Sequence, residues 1–235
     1  VVKHINEISR SAAQKYIENG HILVNGQSVN KNYKIRLEDE ITVLPVENVS
    51  LDTKAEDIPL DIAYEDDDVI VVNKKAGMVV HPGAGNFTGT LINAIAWYLK
   101  DLEGFDANDP EVGLVHRIDK DTSGLIVVAK TSNAKTELGK QFFNKTTHRS
   151  YNALVWGNVV ENEGSIEGNI ARDPKNRLRM KVFPTDSGIG KTAITHYRVL
   201  VRFGYTTLVE CVLETGRTHQ IRAHMKNIGH PLFFF

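Results

Sequence analysis

A chain of 235 residues, 41% hydrophobic and 24% charged, can bury the core of one large domain or of a small and a medium one. A net charge of -1 excludes a globally basic polyanion binder, so any contact with phosphate must use a local patch. One cysteine, Cys211, excludes an internal disulfide or a thiolate cluster, no apolar run is long enough to span a membrane, and no signal peptide is visible, which together point to a reducing cytoplasm.

Residues 1–47 read as a small module. Ser9 or Ser11 can cap a helix running to about Asn19, with Ala12, Ala13, Tyr16 and Ile17 as its apolar face and Gly20 as its stop. Ile22, Leu23 and Val24 form a strand, Asn25-Gly26 a tight turn, and a second short strand follows near Val29. Ile41, Thr42 and Val43 make another. So little apolar surface leaves the module marginal alone. Residues 48–68 hold Asp52, Glu56, Asp57, Asp61 and the run Glu65–Asp68 against one base, Lys54, and read as an acidic linker.

From residue 69 onward the pattern is mixed α+β. Residues 69–72 and 124–129 are buried strands. Thr90 can cap a helix over 91–99, and Ser132 one running to about Phe143. Residues 153–156 and 206–213 are strands, the latter with clear alternation that buries Cys211. Residues 217–228 are helical and close at Gly229 and Pro231.

Three segments could carry chemistry. In the run from Gly113 to Leu125, charged residues sit among apolar ones directly before a buried strand, where sites on rigid scaffolds tend to lie. Read on pattern alone, Arg117 and Asp119 are more simply a surface ion pair beside a turn. In the run from Leu213 to Met225, Gly216 breaks a strand and a helix begins close behind. Thr218 and Arg222 share one helical face, and donors at a helix start suit phosphate or a carboxylate. His219 and His224 are five apart, the wrong spacing for a helical metal pair, and no metal site is expected. The third segment is basic: Arg172, Lys175, Arg177, Arg179, Lys181, Lys191, Arg198 and Arg202 face only Asp173 and Asp186. Pro174, Pro184, Gly188 and Gly190 make much of it loop. A solvated surface is the plain reading, but Met180 and Phe183 within it suit stacked bases, with cations on phosphates.

These residues resemble a family. His116-Arg117-Ile118-Asp119 followed by Thr122-Ser123-Gly124 is similar to the aspartate signature of RNA pseudouridine synthases. Residues 73–82 resemble that family's first motif, with Lys75 where Pro is usual. Tyr151-Asn152-Ala153-Leu154-Val155 resembles its tyrosine motif, and residues 216–222 its arginine motif. Residues 1–47 resemble an S4 RNA-binding domain, through Ser9-Arg10-Ser11, Ile17-Glu18-Asn19-Gly20 and Val24-Asn25-Gly26. The order of the two resembles the bacterial large-subunit rRNA pseudouridine synthase D group.

The resemblance implies an α+β chain. A small S4 domain (1–47) and an acidic linker (48–68) precede a mixed, mainly antiparallel catalytic domain with flanking helices (69–235). The chain starts at Val1 and stops at Phe233-Phe234-Phe235, so both ends look cut and the catalytic domain is expected to continue. The implied reaction detaches uracil from ribose C1′, turns it and rejoins it through C5, after the nucleotide has been flipped out of the RNA stack. Asp119 is implied as nucleophile or base, at C1′, at C6 or at C2′, with Arg222 as its partner. Tyr151 is implied to stack on uracil and to serve a later proton transfer. His116, Arg117, Thr122 and Ile221 are the implied substrate contacts, Arg117 filling the vacated stack.

Arg10, Lys15, Lys31, Lys34 and Arg36 of the first module are candidate phosphate contacts, as are Arg172, Lys175, Arg177, Arg179 and Lys181. Each taken singly is equally ordinary surface charge. No cofactor is implied. The partner implied is RNA, of the 23S large-subunit type or its pre-ribosomal particle, bound by a monomer away from any membrane. Two other classes compete. A non-catalytic RNA-binding factor would be indifferent to Asp119→Asn, and a nucleoside-cleaving enzyme would release free uracil.

Overall fold

In a computed structural model, residues 16–18, 20–44, 54–83, 86–103, 105, 113–176 and 178–233 are described. The chain divides into two compact units, Val1–Asp52 and Thr53–Phe235.

In the first unit, residues 16–18 are helical and Gly20 ends the turn with φ +75°. Its N–H bonds the Ile17 carbonyl and the His21 N–H bonds that of Tyr16, a paired closure that needs the left-handed residue between. The expected caps Ser9 and Ser11 lie outside the described residues. Strands β1 (Ile22–Val24), β2 (Gln27–Ser28) and β3 (Ile41–Val43) form an antiparallel sheet in the order β2-β1-β3. Asn25 and Gly26 have φ +52° and +77°, the hairpin turn that twists with its strands. With two turn residues, Gln27 faces Val24, so the short strand expected near Val29 is Gln27–Ser28.

The second unit holds two sheets. Strands β4 (Ile62–Glu65), β5 (Val69–Lys74) and β6 (Gly124–Ala129) pair antiparallel in that order. Strands β7 (Ser150–Trp156), β8 (Glu163–Arg172), β9 (Met180–Phe183), β10 (Lys191–Arg202) and β11 (Thr206–Leu213) form the other, ordered β7-β11-β10-β8-β9 and antiparallel throughout. Helix α1 (Leu91–Tyr98) is capped by Thr90, whose side chain accepts from the Asn93 N–H. Helix α2 (Ser132–Phe143) is capped by Thr131 rather than Ser132, because Thr131 is the residue still in extended backbone. Helix α3 is Gln220–Asn227.

Each sheet has its own core. Ile70, Val72, Ile126 and Val128 pack against Leu91, Ile92 and Ile95 of α1, each fully buried. At ~2–3 kcal/mol for each large aliphatic side chain, this layer fixes α1 on the first sheet. Val155, Val209, Cys211 and Met225 form the second core, which joins α3 to the five-stranded sheet. Burial pushes the Cys211 thiol up to about 12, as befits an inert packing residue.

One expectation is corrected. The acidic stretch is not all linker. Ile62–Glu65 is a sheet strand, Leu60 and Ile62 pack on the first core, and Glu65 pairs with Lys130 at 2.8 Å. The basic stretch is loop where Pro174, Pro184, Gly188 and Gly190 fall, as expected, and strand at Met180–Phe183 and Lys191–Arg202, with β8 ending at Arg172. In β8, glycines hide the strand pattern. A Cβ at Gly164 would meet the Tyr197 hydroxyl at 2.7 Å, and one at Gly168 would meet Val182 at 2.4 Å, so these strand positions are empty because a neighbour fills them.

Gly113 has φ +76°, and a Cβ there would come within 2.0 Å of the Ala129 carbonyl oxygen. That close approach lets the Ala129 N–H bond the Gly113 carbonyl at 2.9 Å and lays the following segment along β6. Gly113→Ala is expected to cost more than ~2 kcal/mol and to lower the Tm by about 5 °C. A thermal melt with an unchanged midpoint would show that this contact does not hold the segment.

Candidate active site

The segment between Gly113 and β6 is rigid for reasons its sequence supplies. Leu114 and Ile118 are buried in the first core and alternate with residues that turn outward. Between them, the His116 ring stacks on Phe142 at 4.6 Å, and its Nε2 accepts from the Val127 N–H at 3.0 Å. That bond makes Nε2 the bare nitrogen. Burial, helped by the Arg149 charge, depresses the imidazole to about 4, so His116 is a neutral support beneath the loop. Asp119 then begins a turn closed by the Thr122 N–H on its carbonyl at 3.1 Å.

Lys74 fastens this turn from below. Its side chain is 1% exposed, and its three N–H groups reach the carbonyls of Lys75, Met78 and Lys120 at 2.8–2.9 Å. The Gly77 N–H shares the Lys120 carbonyl. Burial lowers the ammonium below the ordinary lysine range, while the charges of Asp121 and Asp119 oppose the shift. A buried cation with every donor satisfied ties the 74–78 turn to the residue after Asp119. Lys74 lies in the motif at residues 73–82, where sequence pattern alone assigns it no role.

The facing wall comes from the second sheet. Leu213 closes β11, and the chain turns through Thr215 and Gly216 into α3. Gln220 pins this corner: its carbonyl oxygen accepts from the Thr215 hydroxyl and the Arg217 N–H, and its amide donates to the Ile194 carbonyl and the Thr195 hydroxyl. All four of its hydrogen-bonding positions are used, at 2% exposure. His224, fully buried, adds a 2.9 Å bond from Nδ1 to the same Thr195 hydroxyl, and burial depresses it to about 4. Because the helix starts at Gln220, Thr218 lies in the preceding turn, and the expectation that it shares a helical face with Arg222 is corrected. His219 takes the left-handed conformation, φ +53°, which an L residue adopts at some cost where the surroundings over-determine it.

Arg222, in the first turn of α3, meets Asp119 across the gap. Its Nε lies 3.4 Å from Asp119 Oδ2, with both side chains about a quarter exposed. This is an ion pair rather than a short hydrogen bond, so the carboxylate stays accessible. Tyr151, on β7, packs against both cores. Burial raises its phenol above the ordinary range, the Arg149 charge works against that, and Asp119 adds to it. The phenol is a proton donor at neutral pH.

Asp119, Tyr151 and Arg222 line one cavity of about 580 Å³, as do His116, Arg117, Thr122 and Ile221. Arg117 is exposed, and Ile221 is half-buried against the second core. The same cavity also takes Arg149, which the sequence reading passed over. Arg172, Lys175, Arg179 and Lys181 do not line this cavity. Lys31 is paired with Glu18 at 2.7 Å, Lys34 and Arg36 are exposed, and Arg10, Lys15 and Arg177 lie outside the described residues. Arg172, Lys175, Arg179 and Lys181 are exposed on the β8–β9 hairpin, beside Leu178 at 86% exposure, with Lys181 over the Phe183 ring. Arg198 and Arg202 are instead engaged within the sheet region, by Glu210 and by the carbonyls of Val159 and Val160. Among the described residues no group of His, Cys, Asp and Glu could hold a metal ion, and no helix is long and apolar enough to cross a membrane.

The chain was compared with known proteins. Residues 68–227 match the family model described as RNA pseudouridylate synthase, and residues 3–41 match that of the S4 domain. A Bacillus subtilis protein named uncharacterized RNA pseudouridine synthase YlyB is 50% identical over 227 residues, which is 97% of this chain and 73% of that one. The ribosomal large subunit pseudouridine synthase D of Xylella fastidiosa is 45% identical over 96% of this chain and 66% of its own. Among solved structures, human RNA pseudouridylate synthase domain containing 1 superposes with a TM-score of 0.59 at 25% identity, covering 76% of this chain and 69% of that one.

The two neutral imidazoles predict an acid sensitivity. Both sit near 4 when folded against 6.5 ordinarily. Below pH 6.5 the unfolded chain takes up protons that the folded chain refuses until about pH 4, so stability falls as pH drops through that window. Each group accounts for about 2 kcal/mol by about pH 5. His116→Gln keeps an acceptor for the Val127 N–H but cannot titrate, so its Tm should fall less than wild type between about pH 7 and about pH 5. An equal fall in both proteins would remove His116 as a source of the effect.

Proposed function

The chain belongs to the RNA pseudouridylate synthase family, and on that premise we propose that its Asp119 cavity isomerises uridine to pseudouridine in large-subunit ribosomal RNA. That it is an RNA pseudouridine synthase, an isomerase with an S4 domain, follows from the family. The RNA, the route and the residue roles are our reading. The observation that carries it is the Asp119–Arg222 pair, an accessible carboxylate oriented by a guanidinium in the wall of a cavity that also holds Tyr151.

About 580 Å³ is enough for one nucleotide and far too little for a stacked duplex. The target uridine therefore enters flipped, at a cost of a few kcal/mol of unstacking. Arg117, exposed at the cavity, fills the vacated place with a flat cation that both stacks and binds phosphate. Asp119 acts at the sugar or the uracil to break the C1′–N1 bond, and Arg222 holds its carboxylate in place. Tyr151, whose ring packs on both cores, stacks on the uracil and serves the proton transfer at C5 that ends the reaction. Thr122 and Ile221 complete the wall.

Residues 1–47 and the β8–β9 hairpin supply affinity through phosphate contacts, which position the RNA without reading its sequence. Large-subunit ribosomal RNA is favoured because relatives 45% identical are named for that substrate. On this reading the protein works in the cytoplasm with the ribosome. A non-catalytic binder would not need a carboxylate, its guanidinium partner and a phenol in one cavity.

Tritium release from RNA labelled at uracil C5 tests the reading. Wild type is expected to release tritium from large-subunit RNA, Asp119→Asn to lose release by at least ~10³-fold, and both to bind RNA alike. Arg117→Ala should slow release while sparing loose binding. Tight binding by wild type without release would favour the non-catalytic alternative.

A further inference from the structure

Arg149 is a cation of the cavity wall close to Tyr151 that the roles assigned so far leave unused. It stands two residues before Tyr151, at the edge of β7, and lines the same cavity as Asp119. Its backbone carbonyl accepts from the Leu213 N–H at 3.0 Å, and its Nη2 donates to the Glu214 carbonyl at 3.1 Å. The guanidinium is thereby held across Gly216. A Cβ at that position would meet Nη1 at 2.8 Å, although Gly216 has no left-handed φ to explain the glycine. The absence of a side chain there makes room for Arg149. Its Nε is buried and has no hydrogen-bond partner. A fixed cation with a bare buried donor, in a cavity built for a uridine, is prepared for an acceptor that arrives with the substrate.

The reaction supplies one. When the C1′–N1 bond breaks, its electron pair stays on the uracil ring and spreads from N1 onto O2 and O4. C1′ is met either by a new bond to an Asp119 carboxylate oxygen or, as the C2′ proton passes to that carboxylate, by a double bond to C2′. In either case a uracil anion lies free in the cavity until C5 gives its pair to C1′, as the Asp119 oxygen leaves C1′ or as Asp119 returns the proton to C2′; the C5 proton then passes to N1, which completes pseudouridine. We propose that Arg149 is a further catalytic residue, whose guanidinium donates to a carbonyl oxygen of the detached uracil and stabilises its negative charge. The proposal rests on the isomerase reading above. Arg222 cannot serve both ends, because it is engaged with Asp119. The position of Arg149 also fits its effect on Tyr151, whose phenol its charge makes more acidic against the pull of burial.

Single-turnover conversion by wild type, Arg149→Lys and Arg149→Met tests this, with RNA containing either uridine or 5-fluorouridine, whose ring is the better leaving group. Loss of the target nucleoside is read in nuclease digests, and RNA affinity and Tm are measured alongside. Arg149→Met is expected to slow uridine conversion by about 10²-fold with RNA affinity within roughly threefold of wild type. Arg149→Lys should recover part of the rate. The Met defect should shrink at least about tenfold on 5-fluorouridine RNA, since a stabilised leaving group needs the cation less. A Met variant converting at the wild-type rate, an equal defect on both RNAs, or a loss confined to affinity or Tm would each overturn the proposal. Wild type that converts neither RNA would overturn the isomerase reading beneath it instead.

Discussion

A carboxylate and a guanidinium carried by different sheets must meet in one cavity, and most of the second unit arranges that meeting. Asp119 hangs on a loop laid against the three-stranded sheet, and Arg222 on a helix packed against the five-stranded one. Their 3.4 Å separation is set by neither residue. It depends on Leu114 and Ile118 in the first core, on the Lys74 ammonium under the turn, and on the Gln220 network behind the helix. A surface pair of these two residues would contribute under ~1 kcal/mol and would drift, whereas here the scaffold holds it. Tyr151 belongs to the same arrangement, because its ring touches both cores and sits where the sheets come together.

The charges of the cavity are kept apart by burial. His116 is held neutral near 4 and turned onto the backbone, so it adds no cation beside Arg117 and Arg149. Lys74 is spent on three carbonyls. On the proposed roles, Arg117 serves the RNA stack, Arg222 the carboxylate and Arg149 the base, while Arg217 donates to the Thr192 carbonyl. Such a division suits a reaction that separates a sugar cation equivalent from a uracil anion and later recombines them, since fixed charges need no reorganisation as the bond breaks.

Much of this was legible in the sequence, for identifiable reasons. Strands β5, β6 and β11 bury Val, Ile and Leu in patterns that composition reveals directly, and Asn25-Gly26 and Thr90 are local signals that act locally. Strand β8 was missed because Gly164 and Gly168 vacate space for Tyr197 and Val182, a fact about neighbours distant in sequence. Strand β4 was missed because it lies in an acidic run, and its one acidic residue, Glu65, pairs with the remote Lys130. The motifs located Asp119, Tyr151 and Arg222. Lys74, Gln220 and Arg149 act through carbonyls and hydroxyls of remote segments, which no spacing along the chain reveals.

The account turns on the uracil staying in the cavity between bond breakage and rejoining. The direct measurement is a product inventory from large-subunit RNA labelled in the uracil ring and incubated with the protein, then digested to nucleosides. The account predicts that pseudouridine gained equals uridine lost, with no free uracil at any time point. Free uracil accumulating in place of pseudouridine would contradict it and make Asp119 the centre of a nucleoside-cleaving enzyme.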